Sequence, residues 1–349
     1  AVRTNNPVCG AFRGFGANQA QFAMEGCLDR LAELVGISGW DIRKQNVIHP
    51  GEVWGPGQIM DDGCLGAEEC LNTIKPAYDK AISEGKAVGL GLGLKNSGLG
   101  NGFREVTRAV IHFRNDGFVE VRHGWTEMGQ GVHTVALQVA VEELGIDPAT
   151  IRVIVDTTRQ LGFGQTTGSR GTLMTAASVR EACLKANEGG RQIGVDYMGE
   201  YVVDWTQHLG EPGVVNPTIH SAFGYAAQLV VMNKETQEIE KVVAVHDVGK
   251  AVNPTLCEGQ IEGSVHMGLG YALTEDFPSD ENGFPTNMTL RSLGIIRPKD
   301  MPPIDVIMVE CPQPRSPYGI KGVGEIGLVP TAPAVAAALH AADGIWRTR

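Results

Sequence analysis

Apolar positions recur every three or four residues through the first quarter of the chain, which is the period of helices that bury one face. Gly36 is a typical helix stop, and Ser38 followed by Asp41 has the pattern of an N-cap. Residues 51–62 are rich in glycine and proline and predict a loop. The pattern therefore predicts helices before the first strand, over about residues 19–35, 38–46 and 67–83.

From Ala87 the period of the apolar residues changes from helical to alternating. The run Gly89-Leu90-Gly91-Leu92-Gly93 predicts a strand whose glycines admit another backbone close by. Its likeness to a dinucleotide-binding fingerprint is superficial, because no helix follows. The sequence Asn115-Asp116-Gly117 lies between two apolar runs and is a strong hairpin signal. Hairpin strands are therefore expected over about residues 107–113 and 118–123.

Strands and helices alternate through the rest of the chain. We expect strands over about residues 151–155, 225–232, 239–246 and 301–308. Helices are expected over about residues 132–144, from the segment before Thr172 to about 187, over 264–273, and after Pro330. This alternation predicts an α/β or α+β fold.

Composition and charge narrow the classes of partner. The 349 residues include 29 basic and 40 acidic ones, a formal net charge of −11, which argues against nucleic acid as a partner. No apolar run approaches the roughly 18 residues of a membrane span, so we expect no membrane partner. Seven dispersed cysteines predict reduced thiols in a cytoplasmic protein and no zinc or iron–sulfur ligand set. The length suggests two domains or one large one, and the missing initial Met suggests a piece of a longer protein.

One carboxylate stands out as a candidate catalytic group. Glu325 lies between glycines in the run from Gly322 to Gly327, just before a predicted helix. Glycines let the backbone approach a ligand closely, and a carboxylate withdrawn from water in such a loop is suited to accept a proton. The simpler alternative is a turn acid that caps the following helix, and the motif alone favours that alternative.

Glycine-containing helix starts are candidate anion sites, because free backbone N–H groups and the helix dipole point at a ligand there. The first is Gly129-Gln130-Gly131, and the second is Gln165 to Thr172, which includes Thr167, Ser169 and Arg170. An ordinary N-cap cluster is the alternative for the second segment, although it would need only one such residue. A third start is expected at Gln260, in the first turn of the helix over residues 264–273.

Arg13 and Phe15 alternate with glycines near the beginning of the chain. The guanidinium donors of Arg13 and the flat apolar ring of Phe15 could together line a pocket for a planar, polar substrate. For Arg13 a buried arginine that holds backbone carbonyls in a loop is an equally good alternative.

Six motifs occur in the order found in one known family. Together they resemble the molybdenum-binding subunit of the molybdenum hydroxylases, the xanthine dehydrogenase and aldehyde oxidase group, and the likeness covers nearly the whole chain. The motifs are Gly10-Ala11-Phe12-Arg13-Gly14-Phe15-Gly16, Glu127-Met128-Gly129-Gln130-Gly131, Thr167-Gly168-Ser169-Arg170, Asp247-Val248-Gly249 with Asn253-Pro254, Gly259-Gln260-Ile261-Glu262-Gly263, and Gly322-Val323-Gly324-Glu325.

The resemblance implies mixed sheets with packed helices, in which residues 1–86 end the first molybdenum-binding domain and residues 87–349 form the second. It implies a molybdopterin cofactor with molybdenum, in bacteria usually as the cytosine dinucleotide, and no side chain need bind the metal. Glu325 would be the general base, and Phe15 would pack on the substrate ring. Cofactor contacts would come from Gln130, Ser169, Arg170, Thr172 and Gln260.

The reaction implied is the oxidation of an electron-poor carbon of an N-heterocycle such as xanthine or hypoxanthine, with water as the oxygen source. Nicotinate dehydrogenase and aldehyde oxidoreductase are alternatives within the family, and a non-catalytic module that cradles the cofactor is an alternative of another class. The chain departs from the family at Ala17-Asn18-Gln19, where Gly-Pro-Gln is usual, and at Ile326, where proline is usual.

The family's upstream Gly-Gly-Gly-Phe-Gly-Gly-Lys loop has no counterpart in this chain. The resemblance therefore implies that the remaining molybdenum-subunit segment is a partner. Segments or chains that carry [2Fe-2S] clusters and FAD would be further partners, and a homodimer of the whole complex is compatible with the family.

Overall fold

The computed structural model describes residues 10–162 and 166–348. Helices α1 to α3 precede the first strand, as the helical period predicts. The helices are α1 (Ala17–Val35), α2 (Gly39–Asn46), α3 (Leu65–Ser83), α4 (Val132–Leu144), α5 (Gly171–Glu188), α6 (Pro254–Leu273) and α7 (Thr331–Asp343). The strands are β1 (Ala87–Ser97), β2 (Glu105–Phe113), β3 (Val119–His123), β4 (Ile151–Val155), β5 (Asp196–Val203), β6 (Ala222–Met232), β7 (Ile239–Asp247) and β8 (Ile304–Val309).

The strands form two mixed sheets of four strands each. The first has the order β1-β6-β7-β8, with β7 and β8 parallel and the other pairs antiparallel. The second has the order β4-β3-β2-β5, with β3 and β4 parallel and the other pairs antiparallel. The expectation of mixed sheets with packed helices is confirmed.

Helices cover both faces of the first sheet. Helix α3 buries Leu71 and Ile74 against β6 and β7, where Leu229 and Val243 complete the core. Helices α6 and α7 cover the opposite face. In the second sheet, β2, β3 and β5 pack against α4 and α5. The division at residue 86 stays a prediction, because these packing contacts alone define no boundary there.

The glycines of β1 let α7 approach the first sheet closely. A Cβ added to Gly89 would lie 1.9 Å from Ala334 O, and one added to Gly91 would lie 2.4 Å from Pro330 O. Both contacts are with the backbone of the α7 start, so a side chain at either position would push the helix away. This confirms the expectation that another backbone lies against the strand, and it fixes the segment that follows Glu325.

Helix α6 begins at Pro254, so the expected start at about Ser264 is wrong. The Asn253 side chain caps the helix by accepting the Leu256 N–H at 3.0 Å, and proline occupies the first helical position. Gly259 and Gly263 lie before the expected start, but the burial of Ile261, Val265 and Leu269 outweighs the cost of about 1 kcal/mol for each glycine. Gln260 therefore lies inside the helix and not in its first turn.

Two further expectations are corrected. Sequence analysis assigns no strand to β5, whose pattern is interrupted by Gly199; a Cβ there would lie 2.2 Å from Ala182 N of α5. The stretch Ile326–Asp343 reaches 18 residues with a mean hydropathy of 1.2, although no run of that length was expected. It is 61% buried in the fold, so it has the properties of a core helix.

Candidate functional site

Glu325 lies in the loop between β8 and α7, just before the turn Ile326–Leu328. Its backbone N–H donates to Ser169 Oγ at 3.0 Å, and Ser169 Oγ donates to Glu325 Oε2 at 3.3 Å. Lys95 Nζ lies 3.2 Å from the same carboxylate oxygen. The Glu325 side chain is 13% exposed and makes no capping hydrogen bond to the turn. The capping alternative is therefore wrong, and the carboxylate is held between two other elements.

Two glycines of this loop permit close approach. A Cβ on Gly322 would lie 2.2 Å from Ser169 O, and one on Gly327 would lie 1.9 Å from Ser264 Oγ of α6. The Gly322 N–H also donates to Ser97 Oγ at the end of β1, at 3.0 Å. The loop is thus pressed against the segment before α5 on one side and against α6 on the other.

A buried polar network holds the backbone after Glu325. Gln228 Nε2 donates to Gly327 O at 2.6 Å, and Thr331 Oγ1 donates to Gln228 Oε1 at 2.7 Å. His246 Nε2 lies 3.2 Å from Gln228 Nε2, so the imidazole accepts from the amide. Burial lowers the pKa of His246 to about 3, which keeps the ring neutral and able to accept.

A buried ion pair anchors the beginning of the loop. Lys321 Nζ contacts the Asp247 carboxylate and donates to Gly63 O at 2.6 Å, and both charged side chains are fully buried. Burial raises the pKa of Asp247, and the Lys321 charge opposes that shift. The pair therefore ties the loop to the end of β7 and to the turn before α3.

Arg13 connects α6 to the loop. Its Nε donates to Gly324 O, and its Nη2 donates to Gln260 O at 3.1 Å and to Gln260 Oε1 at 3.0 Å. Burial lowers the pKa of Arg13, and the Glu325 charge opposes that shift. Of the two alternatives for Arg13, these contacts match the arginine that holds backbone carbonyls.

The segment before α5 is locked by a second buried ion pair. Arg170 Nη1 lies 2.8 Å from Glu105 Oε1, and its guanidinium lies 5.3 Å from the centre of the Trp125 ring. Ser169 adopts the left-handed region at φ 51°, which aims its hydroxyl at Glu325. Arg170 makes no side-chain capping bond to α5, so the first turn, which includes Thr172, keeps N–H groups that could meet a ligand.

The start of α4 is arranged differently from the expectation. The Glu127 carboxylate accepts the backbone N–H groups of Gly129 and Gly131, both at 2.9 Å, and of His133 at 3.2 Å. Burial alone would raise the pKa of Glu127, but these three donors lower it. An anion at this helix start is thus already supplied by the protein. The Gln130 amide bonds within the same loop, to Met128 N and Thr126 O.

Three of the predicted cofactor residues nevertheless meet at one cleft. Gln130, Thr172 and Gln260 line it together with Val323, two residues before Glu325. Its volume is about 30 Å³, enough for one or two water molecules. The amides, the hydroxyl and the open α5 start of this cleft offer donors and acceptors to a hydrogen-bonding group.

Two residues complete this description. Phe15 lies at φ 48° with its side chain 69% exposed, so its ring is open to a ligand or to another segment. Lys95 is 7% exposed and was missed by sequence analysis. The available signal was a lysine on a buried strand, which requires a partner charge.

Within residues 10–162 and 166–348 no cluster of three metal-ligating side chains occurs.

The chain matches the sequence profiles of two molybdopterin cofactor-binding domains. One profile matches residues 71–204 and 190–302, and the other matches residues 1–47. Among curated relatives, a probable xanthine dehydrogenase subunit of Bacillus subtilis is 29% identical, over 99% of this chain and 52% of that protein. The aldehyde oxidoreductase of Megalodesulfovibrio gigas is also 29% identical, over 99% of this chain and 41% of that protein.

Solved structures of aldehyde oxidoreductases also resemble this chain. The aldehyde oxidoreductase from Desulfovibrio desulfuricans superposes with a TM-score of 0.85 at 27% identity, over 96% of this chain and 40% of that one. The chain thus spans about half or less of the length of its relatives. Profiles that together cover most of the sequence, and a shared fold, lead to one conclusion: this chain belongs to the molybdopterin cofactor-binding domain family of the molybdenum hydroxylases.

Proposed function

We propose that this chain forms part of a molybdenum-dependent hydroxylase that oxidises an electron-poor carbon of an N-heterocycle such as xanthine or hypoxanthine, with water as the oxygen source. The observation that carries the proposal is the placement of Glu325. Its carboxylate contacts Lys95 and is oriented by Ser169, and Val323, two residues earlier, lines the cleft with Gln130, Thr172 and Gln260. A fixed, largely buried carboxylate next to a cofactor wall is what general-base catalysis requires.

The residues of the cleft would hold the cofactor. Thr172 and the α5 start offer donors, while Gln130 and Gln260 offer both donors and acceptors. Gly129, Gly131 and Thr167 belong to the same cofactor-binding proposal, although Glu127 now occupies the α4 donors. When bound, the molybdenum centre supplies the oxygen transfer and accepts two electrons. The cytosine dinucleotide form is part of the proposal.

In this proposal Glu325 accepts the proton released as oxygen is transferred, and its deprotonated form is the active one. Phe15 offers its exposed ring to the substrate, and Arg13 keeps Gly324 in register with α6. The small cleft implies that the rest of the molybdenum subunit closes the site. We propose that [2Fe-2S] and FAD partners then carry the electrons away in the cytoplasm.

The test is the E325Q variant in the intact complex, with E281Q, an exposed loop glutamate, as the matched control. General-base help is worth about 10²–10⁴-fold, so kcat for E325Q should fall by that factor with molybdenum content unchanged. E281Q should behave like the unmodified enzyme. Turnover near that of the unmodified enzyme in E325Q would refute the catalytic role. Absence of molybdenum and pterin from the purified complex would favour the non-catalytic module.

An aldehyde is the second candidate substrate, because a solved aldehyde oxidoreductase shares this fold with a TM-score of 0.85. A panel of xanthine, hypoxanthine, nicotinate and small aldehydes on the intact complex separates the candidates by kcat/KM. Turnover restricted to aldehydes would overturn the N-heterocycle proposal while leaving the role of Glu325 in place.

A further inference from the structure

We propose that Lys95 is a positioning residue for Glu325: it binds Oε2 of the carboxylate, which leaves Oε1 as the oxygen that accepts the proton. The inference deepens the proposed function and rests on it. Nothing in the motifs that identify the family includes this lysine.

Side chains alternate between the two faces of β1, and this explains why Lys95 reaches the loop that contains Glu325. Gly89, Gly91 and Gly93 share one face of the strand, and α7 with its preceding turn lies against them. Lys95 is the next residue on that face, so it meets the segment just before the helix, which contains Glu325. The three glycines thus bring the helix close enough for the fourth position to contact the acid.

Lys95 is itself fixed. Its Nζ donates to Asn96 O at 3.2 Å and to Asn96 Oδ1 at 2.9 Å, and Asn96 Nδ2 donates to Gly98 O at 2.8 Å. With 7% exposure the ammonium group has little contact with water. A buried ammonium group needs a fixed counter-charge, and Glu325 supplies one at 3.2 Å.

The contacts on the carboxylate are one-sided. Lys95 Nζ and Ser169 Oγ both meet Oε2, at 3.2 and 3.3 Å. Among residues 10–162 and 166–348, no hydrogen bond to Oε1 is made. A carboxylate oxygen that already has two donors is a poor proton acceptor, so the other oxygen is the one available for chemistry.

The surrounding charges make Lys95 the main electrostatic partner. Within the described part of the chain, it is the one cation within 4 Å of the Glu325 carboxylate. Arg13 acts from the α6 side at longer range and is bonded to backbone carbonyls. Arg170 is paired with Glu105. Burial, followed by the Lys95 charge, lowers the pKa of His220 to about 4, so that ring is neutral at neutral pH.

The first test is the steady-state kinetics of K95M and K95R in the intact complex. Loss of the contact to Oε2 lets the carboxylate turn, and a displacement of about 1 Å costs roughly 10²-fold in rate. In K95M kcat should therefore fall by about that factor with KM unchanged, while K95R, which can still donate to Oε2, should recover much of kcat. A purely packing role predicts the reverse ranking of kcat, since methionine matches the lysine stem better than arginine does. An unchanged kcat in K95M would overturn the proposal, whereas an active E325Q would instead overturn the proposed function.

The second test measures thermal stability, so it does not depend on enzymatic activity. K95M leaves Glu325 as a buried, unpaired carboxylate, so its thermal unfolding midpoint and its yield in the complex should fall. The double variant K95M/E325Q removes that charge and should recover both. A double variant no more stable than K95M would overturn the ion-pair role, even if K95M itself failed to accumulate.

Discussion

Ser169 and Glu325 are joined twice. The Glu325 backbone N–H donates to Ser169 Oγ at 3.0 Å, and the same hydroxyl donates to Glu325 Oε2 at 3.3 Å. Ser169 adopts φ 51°, a region that non-glycine residues seldom occupy, to make both contacts. One side chain thus fixes both the loop and the direction of its carboxylate, in a conformation typical of functional sites.

The S169A variant should lower kcat by about 10- to 100-fold. The expected cause is misorientation of the carboxylate, since a displacement of about 1 Å costs roughly 10²-fold in rate. Steady-state kinetics on the intact complex measure the effect, and molybdenum analysis shows whether the cofactor remains. The matched control is S83A, which removes a serine hydroxyl that donates to the backbone carbonyl of Lys80 at an exposed helix end, far from the loop of Glu325 in sequence. Equal kinetics for S169A and S83A would contradict the orienting role.

The R13K variant should lose both turnover and bound molybdenum. A lysine cannot reproduce the guanidinium fork that reaches Gly324 O and Gln260 at once, so α6 and the loop would separate. We expect at least a tenfold fall in kcat/KM, in line with about 1.5–3 kcal/mol for a lost charged hydrogen bond. R291K, at an exposed turn, is the control. If R13K kept its activity and its metal, Arg13 would have no clamping role.

Local signals predicted most of the fold. The hairpin over β2 and β3 follows from Asn115-Asp116-Gly117, because that turn chemistry acts within a few residues. Helices α1 and α4 end at Gly36 and Gly145, both in the left-handed region, as a glycine stop requires. The start of α6 and the strand β5 escaped prediction because tertiary packing overrides the local effect of glycine there.

In the candidate site, too, local motifs were predicted and contacts that depend on tertiary packing were not. Glu325 and Ser169 were identified from motifs along the chain, and the structure brings them into contact. Lys95 was missed because its importance depends on where α7 lies against β1, which the sequence does not give. The occupation of the donors before α4 by Glu127 escaped prediction for a similar reason. Glu127 is next to the glycines in sequence, but only the folded turn shows its carboxylate on their N–H groups.

Acid should destabilise the folded chain below about pH 6.5. Burial lowers the pKa of His246 to about 3, and burial is also the main cause that lowers the pKa of His123 and of His220 to about 4. The unfolded chain binds these protons at its ordinary value near 6.5 and the folded chain does not. The stabilisation is therefore complete above about pH 6.5 and is lost as the pH falls towards 4. Each histidine contributes about 1.4 kcal/mol per pH unit in that window.

Denaturant unfolding at several pH values between about 5 and 7 measures this slope. The H246Q variant removes one buried imidazole, so its free energy of unfolding should depend less steeply on pH than that of the unmodified chain. Glutamine can still accept from Gln228, which limits other effects. A slope that H246Q leaves unchanged would mean that His246 is not neutral in the folded state.

The G89A variant should destabilise the protein and displace the loop that carries Glu325 together with α7. Its Cβ would lie 1.9 Å from Ala334 O, which is a backbone atom that cannot rotate away. Overpacking of this kind costs about 1–3 kcal/mol, and activity should fall as well because α7 fixes the segment after Glu325.

The control is G26A in α1, where no atom lies within 4 Å of the added Cβ. Alanine there should stabilise the helix by up to about 1 kcal/mol. Thermal unfolding midpoints and kcat for the two variants decide the matter: if both glycines tolerate alanine equally, close contact between β1 and α7 does not position the acid.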